Sequence, residues 1–319
     1  MRVAVIGVGA MGANHARVYS EIPNVTLVGI SDNDQDTSDR TGKRLNVPSY
    51  ADYRTLLDTE RPEAVSVAVP TSLHFEVVSA CVERGIHVLV EKPLAMNVDE
   101  GRRLIDAANK MNVCLGVGHI ERFNPVVKAL KEKLEQKEIG RIFQITAQRL
   151  GPQPSRIKDV GVLLDMATHD IDLFYHLIDD EIMRASVEKA ECIGRPNEDI
   201  ATAMFRFNNG VIGVILENWL SPTKVREITV NGEGGMYVAN LLTQDLFFHM
   251  NAAAQVSRVD DLSPVMSIGN TIRYNIVHAE PLRLELVAFI EAASEGKPFL
   301  IDGEAGLRTL EMAIRLRDS

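Results

Sequence analysis

The first thirty-two residues restrict this chain more than any other stretch. Val3-Ala4-Val5-Ile6 is an apolar run of strand length, and Gly7-Val8-Gly9-Ala10-Met11-Gly12 is a glycine-rich turn. A helical run follows, then a second strand, Val25 to Ser31, that ends on Asp32. Each part meets a demand of binding a dinucleotide. Gly7 turns the chain sharply out of the strand. Gly9 lets backbone approach a pyrophosphate, and Gly12 lets the helix lie close to the sheet. The pyrophosphate then rests on the free N–H groups and positive end of that helix. Gly7, Gly9, Ala10, Met11 and Gly12 are therefore candidate cofactor ligands. Asp32, about twenty residues beyond the glycines, is placed to accept hydrogen bonds from ribose hydroxyls. A tight strand–helix turn that binds nothing needs neither Asp32 nor the glycine triplet. Asn33, Asp34, Gln35 and Asp36 follow Asp32, with no basic residue before Arg40. An adenosine 2′-phosphate would meet uncompensated negative charge there, so NAD is expected rather than NADP.

At 319 residues the chain is too long for one ordinary core and suggests two domains. Its 24% charged and 45% hydrophobic residues are those of a globular protein rather than a disordered one. A formal charge of −10 argues against nonspecific nucleic-acid binding, while leaving an anionic small substrate open to local arginines. No apolar run approaches the length of a bilayer span, so no membrane association is expected. The apolar N-terminus is already the first strand and offers no plausible cleavage site, so no signal peptide is expected. Cys81, Cys114 and Cys192 are odd in number and far apart, without metal or redox spacing; this suggests a reducing cytoplasm. Cys81 and Cys114 read as small buried hydrophobes.

After Asp32 the α/β alternation continues. Helices are expected at about 37–45, 53–58, 73–84 and 97–110, with strands at 64–69, 87–90 and 113–117. Asn97 and Glu100 have capping-box spacing. Near-continuous apolar strands between helices mean a parallel sheet covered on both faces. Beyond His119 the pattern changes. Helices are expected over 125–137 and 162–177 and a strand over 142–149. Strand-like runs without helices then follow at 185–193, 201–207, 211–218, 227–232 and 236–239, and helices return at 281–295 and 304–316. Asn208-Asn209-Gly210 reads as a hairpin turn. The expected fold is thus α/β: a Rossmann domain over 1–118, then an α+β domain over 119–319 with a large, open, mainly antiparallel sheet. The C-terminal helices are candidates to pack back on the first domain. An uncovered sheet face needs a partner, which suggests a homodimer or homotetramer.

Three segments carry candidate chemistry. Glu91-Lys92-Pro93 follows a parallel strand at its carboxyl end, the edge where such sheets bind ligands. Lys92 there points toward a nicotinamide, or is an ordinary solvated strand-end lysine. Asp165 and His169 are four apart, so a helix puts them on one face. The carboxylate can orient the imidazole, and histidine is well suited to take a proton near neutral pH. A capped structural histidine is the plain alternative. Asp165, His169, Asp172 and His176 also follow one helical stripe, but no second ligand set completes a metal site, so no metal is expected. The third segment, Gly118-His119-Ile120-Glu121-Arg122-Phe123-Asn124-Pro125, is a polar turn where the first domain ends. Arg122 and Asn124 are candidates to face the crevice, and His119 is equally a structural residue.

The order Gly7-x-Gly9-x-x-Gly12, Glu91-Lys92-Pro93, Asp165-x-x-x-His169 resembles the Gfo/Idh/MocA family of NAD(P)-dependent sugar and cyclitol oxidoreductases over essentially the whole chain. The run 118–125 and the stretch Arg156-Ile157-Lys158-Asp159-Val160-Gly161 are similar to the family's nucleotide-sugar 3-dehydrogenases, which act on UDP-N-acetylglucosamine or its uronic acid. The resemblance implies Lys92, Asp165 and His169 as catalytic residues, with Thr71, His74 and Glu91 lining the cofactor. Many relatives carry two glycines before the aspartate helix, where this chain has Val160 and Gly161. For a sugar diphosphate the candidate contacts are Arg149, Arg156 and Lys158, with Arg122 and Asn124, although loop cations are as often simply solvated. The expected reaction is NAD-dependent oxidation of a sugar secondary alcohol, most closely C3 of such a nucleotide sugar. An inositol or other polyol dehydrogenase and a non-catalytic nicotinamide-binding regulator are the alternatives.

Overall fold

A computed structural model describes residues 1–153, 161–194, 197–252 and 268–319. The chain divides into two compact units: Met1–Ile120 with Glu280–Ile314, and Glu121–Ala279 with Arg315–Ser319.

The first unit alternates strand and helix: β1 (Arg2–Ile6), α1 (Ala10–Glu21), β2 (Thr26–Ser31), α2 (Gln35–Leu45), β3 (Ser49–Tyr50), α3 (Tyr53–Glu60), β4 (Ala64–Val67), α4 (His74–Val82), β5 (His87–Glu91), α5 (Val98–Met111) and β6 (Leu115–Gly118). All strand pairs are parallel, in the order β3-β2-β1-β4-β5-β6. Strand order reverses direction beside β1, which puts the ligand crevice at the carboxyl ends of β1 and β4. Val3, Ala4, Val5, Val65, Val67 and Val88 to Val90 are wholly buried, as a sheet covered on both faces requires. Helices α2, α3 and α5 begin at side-chain caps, Asp34, Asp52 and Asn97. Asn97 accepts from the Glu100 N–H at 2.9 Å, and the Glu100 carboxylate accepts from the Met96 N–H at 3.2 Å. The expected helix over 73–84 is observed as a 3-10 turn, Thr71–Leu73, leading into α4.

The second unit holds α6 (Pro125–Glu135), β7 (Ile142–Pro152), α7 (Thr168–Ile178), β8 (Ile182–Ala190), β9 (Ile200–Phe207), β10 (Ile212–Asn218), β11 (Leu220–Gly232), β12 (Gly235–Asn240), β13 (Asp245–Asn251) and β14 (Ile268–Tyr274). These strands form one sheet, β14-β13-β12-β11-β7-β10-β9-β8, antiparallel except where β7 meets β10. The inward face alternates Ile145, Ala147 and Arg149 on β7 with Gly213, Ile215 and Glu217 on β10. Phe174 of α7 lies on that face, where a Cβ at Gly213 would come within 2.9 Å of its ring. Gly210 turns the β9–β10 hairpin at φ 88°. Strands β13 and β14 were not expected. Residues 268–274 interrupt their apolar alternation with Gly269 and Asn270 at the sheet edge, where burial enforces no pattern.

Helix α8 (Pro281–Glu295) returns to the first unit, packing on α1 with an ion pair from Arg283 to Glu21 at 3.3 Å. Helix α9 (Gly303–Asp318) follows. Among the described residues, no helix is long and apolar enough to cross a membrane.

Candidate active site

In the first unit the glycine turn has the geometry its sequence demands. Gly7 sits at φ 84°, its N–H donates to the Ser31 carbonyl at 2.7 Å, and a Cβ on it would lie 2.6 Å from the Ala68 carbonyl oxygen. A Cβ at Gly12 would lie 1.8 Å from the Gly7 carbonyl oxygen, so only glycine lets α1 begin this close to β1. Gly9 differs: a Cβ there would meet nothing within 4 Å. Protein packing does not explain Gly9, whereas a ligand lying against the start of α1 does. Ala10 and Met11 open that helix, which has Gly9 at its N-cap and no side-chain cap. Its first N–H groups are left for an anion. Asp32 is half-buried beside this turn. Its Oδ2 accepts from the Val8 N–H at 2.8 Å and its Oδ1 from the Asp34 N–H at 3.0 Å. Each carboxylate oxygen keeps a lone pair for a ribose hydroxyl.

Beyond β4, Thr71 is half-buried at the head of the 3-10 turn. His74 is buried, with Nδ1 2.8 Å from the Pro93 carbonyl and Nε2 3.0 Å from the Val69 carbonyl. It ties the loop after β4 to the turn after β5. Burial pushes its pKa below the ordinary value, against the pull of both carbonyls. Glu91 is the last residue of β5, and its Oε1 lies 3.0 Å from Nε2 of the buried His15. Burial pushes the Glu91 carboxyl up, but the His15 hydrogen bond and the charges of His15 and Lys92 outweigh it and hold the group below the usual carboxylate range. Lys92 follows, half-buried, at the carboxyl edge of the parallel sheet.

In the second unit, Asp165 and His169 are both half-buried. The expected single α-helix is in fact a π-helical turn, Leu163–Ala167, running into α7. Such turns are frequent at functional sites, and Asp165 and His169 remain one turn apart. The segment is anchored by Glu198, whose Oε1 accepts from the Leu163 N–H at 3.0 Å and whose carbonyl accepts from the Val162 N–H at 3.0 Å. A Cβ at Gly161 would stand 2.2 Å from the Glu198 carboxylate, so glycine at that position keeps the anchor in place.

The residues expected to grip a diphosphate have partners of their own. Arg149 is buried; its Nε and Nη2 donate to Asp170 at 3.0 and 2.7 Å, and its Nη1 donates to Glu121 at 3.1 Å. Burial alone would lower its pKa, but the two carboxylates raise it. Arg122 is buried in a bidentate pair with Asp172, at 2.8 and 2.6 Å. Asn124 is the N-cap of α6, accepting from the Val126 N–H, while its amide donates to the Leu241 carbonyl at 3.0 Å. These three side chains lock α6, α7 and the sheet together. Arg156 and Lys158 lie outside the described residues, as does Val160.

Two residues that sequence reasoning missed surround this lock. Asp170 takes the Arg149 fork, and Glu217, directly opposite Arg149 on β10, is fully buried. Burial, then the charge of Asp170, pushes the Glu217 carboxyl well up, against the opposing charge of Arg149. The readable signal was a glutamate in the inward phase of an alternating strand, Gly213-Ile215-Glu217.

A glycine cradle at the start of α1, a carboxylate just beyond β2 and a parallel sheet in this strand order define a dinucleotide-binding domain of the Rossmann class. Residues 1–119 match the family described as "Oxidoreductase family, NAD-binding Rossmann fold", and residues 127–238 match the "GFO/IDH/MocA C-terminal domain". The chain belongs to the Gfo/Idh/MocA oxidoreductase family and is an NAD-dependent sugar or polyol dehydrogenase. It is 27% identical over 317 residues to the UDP-N-acetylglucosamine 3-dehydrogenase of Acidithiobacillus ferrooxidans, covering 99% of this chain and 96% of that one. A solved structure of that enzyme superposes with a TM-score of 0.88, over 100% of this chain and 96% of the other. Myo-inositol 2-dehydrogenase of Thermotoga maritima is 34% identical over 225 residues, 67% of each chain. The WlbA dehydrogenase of Bordetella pertussis, solved with NADH and UDP-GlcNAcA, shares the fold at a TM-score of 0.80 and 21% identity, over 100% of this chain and 95% of that one.

Proposed function

We propose that this protein oxidises the C3 hydroxyl of UDP-N-acetylglucosamine, or of its uronic acid, to the ketone. The observation that carries the reading is similarity to a 3-dehydrogenase of that substrate along the whole length of both chains, rather than over the cofactor domain alone. In this reading Gly9, Ala10, Met11 and Gly12 receive the pyrophosphate, and Asp32 receives the adenosine ribose. NAD, when bound, supplies the acceptor for the hydride that leaves the carbinol carbon. His169 takes the hydroxyl proton as general base, the role for which an imidazole is the commonest side chain. Asp165 orients the imidazole and stabilises its charged form. Lys92 donates a hydrogen bond to the reacting oxygen as negative charge develops there. Arg156 and Lys158 are the cations assigned to the diphosphate, since Arg122 and Arg149 are already paired.

The test is a substrate panel of UDP-N-acetylglucosamine, its uronic acid, myo-inositol and glucose, followed by NADH absorbance and by product mass. Turnover of a UDP-sugar to a product two hydrogens lighter supports the reading. Turnover of myo-inositol alone transfers it to a polyol dehydrogenase, the second reading favoured by the 34% identical relative. We also propose that copies associate through the outer face of the eight-stranded sheet, where Met204 and Ile212 are exposed beside Val214 and Leu216. Light scattering of wild type and Met204→Glu tests this; a monomeric wild type ends it. The free thiols Cys81, Cys114 and Cys192 accord with a cytoplasmic place for the enzyme.

A further inference from the structure

A buried polar chain in the first unit has no part in the chemistry above. The Tyr19 hydroxyl lies 2.9 Å from Ser66 Oγ, Ser66 Oγ lies 3.0 Å from His15 Nδ1, and His15 Nε2 lies 3.0 Å from Glu91 Oε1. Tyr19, Ser66 and His15 are each at most 1% exposed. The chain links α1, whose first turn receives the pyrophosphate, through β4 to the end of β5, immediately before Lys92. Gly118 of β6, paired with Glu91, leaves the space this carboxylate occupies: a Cβ there would stand 3.3 Å from Glu91 Oε1.

Every member of the chain has a hydrogen-bond partner within it. His15 donates from Nε2–H to the Glu91 carboxylate, and its Nδ1, the Ser66 hydroxyl and the Tyr19 hydroxyl continue the same hydrogen-bonded chain. Buried polar groups without such partners are costly, and side-chain networks of this kind fix one geometry. A surface lysine at a strand end would need none of this. From the linkage of these groups we infer that His15 is a positioning residue for Lys92: it holds Glu91 as an oriented carboxylate and so couples the seat of the cofactor helix to the catalytic ammonium. The inference rests on Lys92 acting at the reacting oxygen, as proposed above. Glu91 faces His15 from α1, Lys92 beside it and His74 from α4; Tyr19, at the far end, faces Glu285 of α8.

The pH dependence follows with a definite sign. Glu91 is held low chiefly by His15 against burial, so removing His15 lets Glu91 take up a proton at higher pH. In the full-length enzyme, His15→Leu should move the acid limb of kcat upward by about one pH unit or more, a tenfold change at the limb. NAD affinity, titrated by fluorescence, should acquire the same acid limb. His15→Gln, whose amide can still donate to Glu91, should recover part of the shift. Glu91→Gln keeps the shape of the side chain and removes its titration, so adding His15→Leu to it should move the limb no further. A lowered melting temperature with an unmoved limb in His15→Leu would mean a structural role only and overturn the inference. If His15→Leu does not fold, a further limb shift on adding His15→Gln to Glu91→Gln has the same meaning. Lys92→Ala separates the two claims. Wild-type turnover in that variant removes the catalytic reading itself, whereas lost turnover with an unmoved limb in the His15 variants removes only the coupling.

Discussion

Arg149 offers the sharpest contrast between what the sequence suggests and what the structure holds. As a loop-flanking arginine it reads as a diphosphate contact; in the structure it is the centre of a buried lock. Replacing it with Met keeps most of the side-chain volume and removes the charge. Three hydrogen bonds, at 3.0, 2.7 and 3.1 Å, disappear, and Asp170 is left buried without its fork. Breaking a buried ion pair from one side costs about 3–5 kcal/mol, because the surviving charge is stranded. For a unit of this size roughly 2–4 °C is lost per kcal/mol, so the transition of the second unit should fall by about 6–20 °C in calorimetry. The double variant Arg149→Met, Asp170→Leu removes both charges and should recover much of that loss, since an apolar replacement of a whole pair is often neutral. Steady-state kinetics well below the transition should show little change in KM for the nucleotide sugar. An unchanged melting profile with a raised KM for UDP-sugar would refute the reasoning and return Arg149 to the substrate.

Three further outcomes are expected. Asp32→Ser combined with Asn33→Arg should move the ratio of kcat/KM for NAD over NADP toward NADP, and an unchanged ratio removes Asp32 from the ribose. His169→Ala should lower kcat by about 10²–10⁴-fold, the usual worth of a positioned base, and near-wild-type turnover would eliminate it as the base. Glu217 has its carboxyl pKa raised in the folded state, so the native protein keeps a proton there that the unfolded chain loses above its ordinary value of 4.5. Its contribution therefore favours folding at low pH and is lost as pH rises from about 4.5 toward the raised native value. Glu217→Gln removes that titration, so the variant's melting temperature should rise relative to wild type between pH 5 and pH 8; a constant difference would mean Glu217 is ionised throughout.

The parallel-sheet unit was legible because its signals are local. Gly7, Gly9 and Gly12 fall within one strand–helix turn of the sequence, and buried parallel strands are continuous apolar runs. Asn97 and Glu100 announced their helix from three residues apart. The second unit yielded less. Its strands alternate, so their phase was readable, but the partners of Arg149 are 28 and 21 residues away on other elements. Nothing in spacing distinguishes an arginine bound to Asp170 from one awaiting a phosphate. His15 was hidden for the same reason: Ser66 and Glu91, its partners, lie 51 and 76 residues away. Strand β14 was missed because its edge position relaxes the apolar alternation on which strand reading depends.

The return of α8 to α1 carries a consequence for how the chain is made. The nucleotide-binding unit is not finished when residue 120 leaves the ribosome; Glu280–Ile314 still has to arrive. Gly101 and Gly306 show what those last helices cover: a Cβ at Gly101 would press on Leu307, and one at Gly306 on Val117. A fragment cut after residue 120 would bare these apolar seats to water. Synthesis thus presents the earliest-made half of the protein as the one that must wait, and any chimera that exchanges cofactor modules has to carry both ends of the polypeptide together.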